Sequence, residues 1–372
     1  GDEEEVQRQV GGAIFLSITL GALVSLIVGL GAKKWLLTIG TAAALPFSLP
    51  YLIYRLPGVI PDTLSTVGFS SLRGVMDTVT PLKVAIIACV TNALFNYILM
   101  FKPLSMGIAG AALATAISQI VAGSTYMAIL LRRKLVKLST ALRPPSKEIL
   151  SKIVASGGAV QVRNIALNVA FIAITKTTQG LDTTGVAAAA HAVTIALWQL
   201  GGVVLFAMGS VATILTSAEL GKKGSTPEAS RSVARRVLAW GGLMGGLLGV
   251  LQLLGLPLLS LFTPLPEVRR AARIPSIIGA ALQCINGVVF VGEGVMVASG
   301  AFGRLAGGQV AATALFLLSL KLAPATLVGV WWSFWVFNSV RLFNFINFFW
   351  FAKSPLMPGG RPLPWEGAGK AD

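Results

Sequence analysis

The residue in this sequence best suited to carry a proton is Glu293, in Phe290-Val-Gly-Glu293-Gly-Val-Met-Val297. Apolar neighbours on both sides favour the neutral acid over the carboxylate. A charged group at a bilayer centre costs about 2.5 kcal/mol or more even on permissive scales, so such a residue needs a reason to be there. It either exchanges a proton or is neutralised by a fixed arginine. Arg163, in Val160-Gln-Val-Arg163-Asn164, cannot shed its charge and requires an anion, either Glu293 or a bound solute, unless it snorkels to a basic membrane face. Arg341, in Asn338-Ser-Val-Arg341, poses the same choice.

Neutral polar groups inside apolar blocks, among them Gln161, Asn164, Asn168, Gln199 and Asn286 with Asn92 and Asn96 earlier in the chain, either line a cavity or pair helices. The expected solute-binding set is Arg163, Gln161, Asn164, Gln199 and Asn286, with Glu293 as the ion-coupling group. His191 is the sole histidine, and a lone histidine packs or hydrogen-bonds more often than it shuttles protons. One histidine permits no HExxH motif, and no apolar block carries paired carboxylates at helical spacing. No catalytic residue, metal site or cofactor is therefore expected. Gly221-Lys-Lys-Gly-Ser-Thr226 lacks the spacing of a phosphate loop and reads as a solvated basic loop. Cys89 and Cys284 each lie inside an apolar block and read as packing residues.

The elements that must position these groups are set by composition. Hydrophobic residues make up 55% of 372 positions and charged residues 12%, with a mean hydropathy of +0.78, outside the range of a water-soluble domain. The apolar residues fall into blocks of about 20, long enough to cross about 30 Å of hydrocarbon as helix. The blocks are Gly11–Leu30, Gly58–Leu72, Lys83–Phe101, Ile108–Leu131, Ile153–Thr175, Val186–Leu215, Val237–Phe262, Ile274–Gly300, Leu305–Leu322 and Leu327–Phe351. The expected fold is all-α, a polytopic membrane protein of about ten spans. Trp35–Tyr54 is also apolar, but Pro46 and Pro50 interrupt it, so it reads as a connector or as the bent start of the second span.

The formal charge of +16 does not point to nucleic acid, because the basic residues occupy short loops between apolar blocks. With alternate loops on one side, that side collects Arg8, Arg73, Arg132, Arg133, Arg231, Arg235, Arg304 and Lys353, among others. The opposite side receives a shorter set that includes Lys33, Lys102, Lys176, Arg269, Arg270, Arg273 and Lys321. The positive-inside rule then puts both termini on the cytoplasm-like side. Arg132–Lys152, with Pro144-Pro145 in its middle, is the longest polar interruption. It divides four spans in residues 1–131 from six in 153–352, with a basic loop over 132–152 and a polar tail over 353–372. Gly68-Phe-Ser-Ser-Leu-Arg73-Gly74-Val-Met-Asp77 before one apolar helix echoes Gly294-Val-Met-Val-Ala-Ser-Gly300-Ala-Phe-Gly303 before another. Internal repeats of this kind mark many transporter folds, with the solute path at the repeat interface.

Several segments resemble the multidrug and toxic compound extrusion family. They are Tyr51-Leu-Ile-Tyr-Arg55-Leu-Pro-Gly58, Arg73-Gly-Val-Met-Asp77-Thr-Val-Thr-Pro81-Leu, Asn92 with Asn96, Gly107-Ile-Ala-Gly-Ala-Ala-Leu-Ala-Thr115, and Ser118-Gln119. In the second half, Ala188-Ala-Ala-His191 and Leu197-Trp198 resemble that family's AAHQ-type segment, with Ala192 where glutamine is usual. The resemblance implies two pseudo-symmetric lobes, a central cavity that opens alternately to each side, and export driven by H⁺ or Na⁺. It makes Arg73, Gly74, Asp77, Pro81 and His191 family-motif residues. Gly1-Asp2-Glu3-Glu4-Glu5 resembles the stretch before the family's third helix, which implies that the first two helices are not in this sequence. Arg163 matches a basic residue of the DNA-damage-inducible-F-like branch, which includes plant organic-anion exporters.

The expected function is an ion-coupled antiporter that exports small organic solutes, with organic anions preferred, from within a lipid bilayer. A lipid flippase of the same superfamily and a membrane-embedded transferase are the alternatives. A plastid envelope or the plasma membrane is the expected location, with no nucleic-acid partner.

Overall fold

The computed structural model describes residues 2–39, 45–101, 103–141, 143–222, 224–351 and 356. The described residues are overwhelmingly helical, in the order α1 (Asp2–Leu30), α2 (Ala32–Ile39), α3 (Leu45–Arg55), α4 (Val59–Gly74), α5 (Val79–Met100), α6 (Ile108–Arg132), α7 (Leu138–Ala141), α8 (Lys147–Gln179), α9 (Val186–Leu220), α10 (Pro227–Leu254), α11 (Pro266–Ala298), α12 (Phe302–Leu322) and α13 (Leu327–Ile346). Among the described residues, eight helices are long and apolar enough to cross a membrane: α1, α5, α6 and α8 to α12. The protein is an integral, multi-pass membrane protein.

The two remaining expected spans fall short of that test for local reasons. α4 has 16 residues, about 24 Å of helix against about 30 Å of hydrocarbon. It continues α3 through a 3₁₀ turn at Leu56–Gly58, and both α3 and α4 pack on α6. The α3 part of that apolar stretch therefore supplies the bent start of the second span, with Pro50 inside α3 and Pro57 in the turn; residues 40–44 lie outside the described residues. α13 has 20 residues, and its Trp, Asn and Arg residues dilute its hydropathy. The long polar loop is shorter than expected, because α7 folds within it and α8 starts at Lys147, just past Pro144-Pro145. Lys102 and all of the polar tail except Leu356 lie outside the described residues.

The chain divides into two compact units, Gly1–Ile153 and Val154–Asp372. In the first, Ile14, Leu72, Val84, Tyr126 and Leu130 form the core. The start of α1, the α4–α5 turn and the end of α6 meet at one end of this unit. Gln7 donates to the Lys134 carbonyl at 2.7 Å, and Arg133 pairs with Asp77 at 2.7 Å. In the second, a core of Ile174, Leu282, Phe316, Trp331 and Phe334 joins α8, α11, α12 and α13. Gly241, Gly245 and Gly249 form one buried stripe of α10, where added side-chain carbons would strike the backbone of α11. Without a hydrophobic drive between helices in lipid, such close approach is what packs them.

The repeat is present in the local structure, in a register two residues away from the sequence echo. α4 ends with Met76 N–H donating to Arg73 O and Asp77 N–H to Leu72 O, both at 3.0 Å. α11 ends with Gly300 N–H donating to Val297 O and Ala301 N–H to Met296 O, also at 3.0 Å. These are the two bonds of a Schellman helix end, and they put Met76 (φ 62) opposite Gly300 (φ 68). The same register pairs Gly68 with Gly292. A side-chain carbon at Gly68 would lie 2.5 Å from Tyr126 of α6, and one at Gly292 would lie 2.5 Å from the Phe345 ring of α13.

Candidate functional site

Three charged side chains of the second unit converge on one point. Glu293 is 7% exposed on α11. Its Oε2 accepts from Nη2 of Arg163, on α8, at 2.5 Å, and its Oε1 accepts from Nε of Arg341, on α13, at 2.8 Å, with Nη2 of the same guanidinium in ion-pair contact at 2.8 Å. The carboxylate is thus held by arginines from two different helices, which supplies the charge-assisted bonds that a buried carboxylate requires.

The Gly292-Glu293-Gly294 sequence makes this geometry possible. Gly292 lets the Phe345 ring of α13 lie against α11, and Gly294 lets the Gly209 carbonyl of α9 do the same on another face. With α9 and α13 drawn in, Glu293 is buried beside Arg341 rather than held at the reach of a long side chain. In the first unit the register puts Phe69 where Glu293 stands, and matching Tyr126 to Phe345 through their glycine contacts puts Ala122 where Arg341 stands, so this acid–arginine pair does not recur there.

The two arginines are held differently. Arg341 is 5% exposed, with its guanidinium between the Phe290 and Phe337 rings at 5.3 and 5.4 Å, an arrangement that adds cation–π attraction. Its Nη1 donates to Asn338 Oδ1 at 3.1 Å, and Asn338 in turn donates to the Phe334 carbonyl one turn earlier. Arg163 is looser. Among the described residues its only other contact of this kind is a 3.5 Å approach to Asn164, and its Nε is buried with no partner among them. A cavity of about 190 Å³ opens beside it, lined by Arg163, Glu293, Phe206, Ser210, Thr213 and Phe290 among others. Among the described residues two guanidiniums face one carboxylate, an excess of one positive charge beside that cavity.

A sequence model of the MatE family matches residues 1–98 and 160–307. The chain belongs to the MatE family. It is 28% identical over 352 residues to Protein DETOXIFICATION 44, chloroplastic, of Arabidopsis thaliana, covering 92% of this chain and 66% of that protein. It is 27% identical to Protein DETOXIFICATION 45, chloroplastic, of the same plant, covering 91% of this chain and 60% of that one. The chain thus spans less than two thirds of the length of these relatives. Its fold is similar to a crystal structure of a point mutant of the Vibrio cholerae MATE transporter VcmN (TM-score 0.83, 20% identity, 92% of this chain and 78% of that one). It is equally similar to the outward-facing conformation of a multidrug resistance MATE family transporter (TM-score 0.83, 17% identity, 93% and 78%).

The remaining expected site residues of this MatE chain scatter. Asn164 touches Arg163, but Gln161 and Gln199 lie on exposed faces of α8 and α9. Asn286 is fully buried on α11, with neither amide atom partnered. His191 is buried on α9 with its ring 5.9 Å from that of Trp331, a packing position away from the charged cluster. The Arg73–Pro81 motif joins two helices in the first unit. Asp77 caps the start of α5. Its Oδ1 accepts from the N–H groups of Val79 and Thr80, and its Oδ2 from the Thr80 hydroxyl at 2.6 Å. With Arg133 alongside, these bonds hold its carboxyl well below the usual carboxylate range. Arg73 stacks on Phe69 at 5.0 Å, and Gly74 faces open space.

Proposed function

We propose that this chain is a secondary transporter of small organic anions, in which Arg163 is the exchangeable ligand of Glu293 and Arg341 is its fixed one. The observation that carries this is the unequal hold on the carboxylate: Arg341 sets two nitrogens against one oxygen and is stacked and buried, while Arg163 has one bond to it, an Nε unpartnered among the described residues and a cavity at its side. An anion entering that cavity takes over Arg163. Glu293, left with one guanidinium, then accepts a proton more readily. Sodium is disfavoured at this point, because both carboxylate oxygens already face cations. Family membership and the transporter names of the similar structures support the class of activity; the excess positive charge supports the sign of the solute.

The sense of ion coupling follows from the solute's charge. An anion on Arg163 and a proton on Glu293 favour one another, whereas a cation would compete with the proton for Glu293. The antiport expected from the sequence is the behaviour of a cation carrier, so proton uptake on anion binding separates the two. Among membranes, a plastid envelope is favoured by the chloroplastic relatives. The test is flux through proteoliposomes under an imposed pH gradient, using a panel of organic anions and cations, with a pH dye to follow protons. Anion-selective flux with proton uptake supports the proposal; cation-selective flux with proton release overturns it.

A further inference from the structure

The opposite end of the second unit, where α10 leads into α11, carries a second basic site. A 3₁₀ turn at Leu256–Leu261 follows α10, and α11 brings Arg269, Arg270 and Arg273 within its first turns. Spacings of three and four residues put like charges side by side on a helix, which is unfavourable without an anion nearby. Among the described residues no carboxylate pairs with any of the three; Arg269 turns one amine to the Thr263 carbonyl at 3.4 Å. Orientation does not account for them either, since the charge bias assigns these arginines to the less basic side of the membrane.

The three arginines line a pocket of about 700 Å³ together with Leu256, Pro257 and Ser260. Leucines one or two positions along the chain from its lining residues are bare: Leu254, Leu258, Leu261 and Leu265 are 71, 54, 78 and 51% exposed. A water-facing loop gains nothing by baring four leucines, whereas a segment at the hydrocarbon boundary does. A cationic wall next to a leucine rim is complementary to a molecule that is anionic at one end and apolar at the other. We infer that this pocket binds the phosphate headgroup of an anionic phospholipid, with its acyl chains along the leucine rim.

The experiment is native mass spectrometry of the purified full chain titrated with phosphatidylglycerol or phosphatidylcholine, alongside glycerol phosphate as the soluble anion. Phosphatidylglycerol should be retained and phosphatidylcholine lost. The double variant R270Q/R273Q should weaken phosphatidylglycerol binding about 30-fold, at the usual contribution of a basic residue near an anionic membrane. K321Q, which removes a charge from the same side but not from the pocket, should leave it unchanged. L258S/L261S keeps the arginines and should weaken the lipid while leaving glycerol phosphate binding as it was. Equal retention of both lipids, equal losses in K321Q and R270Q/R273Q, or glycerol phosphate binding as tightly as the lipid would each overturn the assignment.

Discussion

Arg341 grips a single oxygen of Glu293 with two nitrogens at 2.8 Å, and the other oxygen is left to Arg163 at 2.5 Å. Removing the carboxylate should therefore do more than remove a proton site, because it strands the buried Arg341 guanidinium and the partly buried Arg163 one. Glu293→Gln is expected to abolish pH-dependent flux and to lower stability in detergent by about 3–5 kcal/mol, the range for breaking a buried pair by removing one partner. Adding Arg163→Gln should recover part of that stability, since one stranded charge replaces two. Thermal melts of the two single variants and the double form the cycle. Additive losses would show that Arg163 and Glu293 do not interact.

The two arginines should respond differently to lysine. At Arg341 a lysine loses the two-nitrogen grip and the stacking between Phe290 and Phe337, and a compact ammonium cannot also reach Asn338. Arg341→Lys is expected to cost about 2–3 kcal/mol, as for charged hydrogen bonds lost in a buried site. Arg163→Lys replaces one bond with one bond and should retain stability, with its effect confined to solute affinity. Comparing melting temperatures with flux KM for the pair separates a holding role from a binding one.

The charged cluster was half legible in the sequence. Glu293 and Arg163 stand out because ionisable groups are rare in apolar blocks, and pairing between them was one of the options that rarity left open. Their 130-residue separation hides the pairing itself. Arg341 was legible only as an ambiguous charge, because its partners Phe290 and Glu293 lie on another helix. Gln161 and Gln199 stand out by type and both are exposed, but α8 and α9 are too weakly amphipathic for the sequence to fix which face is buried. The repeat was seen in glycine spacing but misregistered, because its shared feature is backbone geometry at Met76 and Gly300, which side-chain identity does not encode.

The glycines that flank Glu293 give a graded test of packing. Gly292→Ala pushes a carbon against the fully buried Phe345 ring, a side chain that can turn without moving its helix's backbone. Gly294→Ala pushes one against the Gly209 carbonyl, and only a shift of α9 relieves that. Both should destabilise, in the usual range of about 1–3 kcal/mol for overpacking, with Gly294→Ala the larger and the one that loosens the grip of Arg163. Equal melting temperatures for the two variants would count against the close approach of α9 and α11.

Asp77 provides a pH signature outside the membrane core. Its carboxylate is stabilised first by the Thr80 hydroxyl, then by the Thr80 N–H and by Arg133, so its folded pKa lies below its unfolded one. A group of this sign adds stability above the unfolded value of about 3.9 and loses it as pH falls toward the lower folded value. Asp77→Asn keeps an acceptor for the helix cap but removes the charge facing Arg133. Its deficit relative to the native chain should be constant from neutral pH down to about 4 and should shrink below that. High salt should shrink it as well, because Arg133 is 44% exposed. Melting temperatures of both proteins measured across this range, at low and high salt, decide the matter. A deficit that persists unchanged at acid pH would mean that the cap works through shape rather than charge.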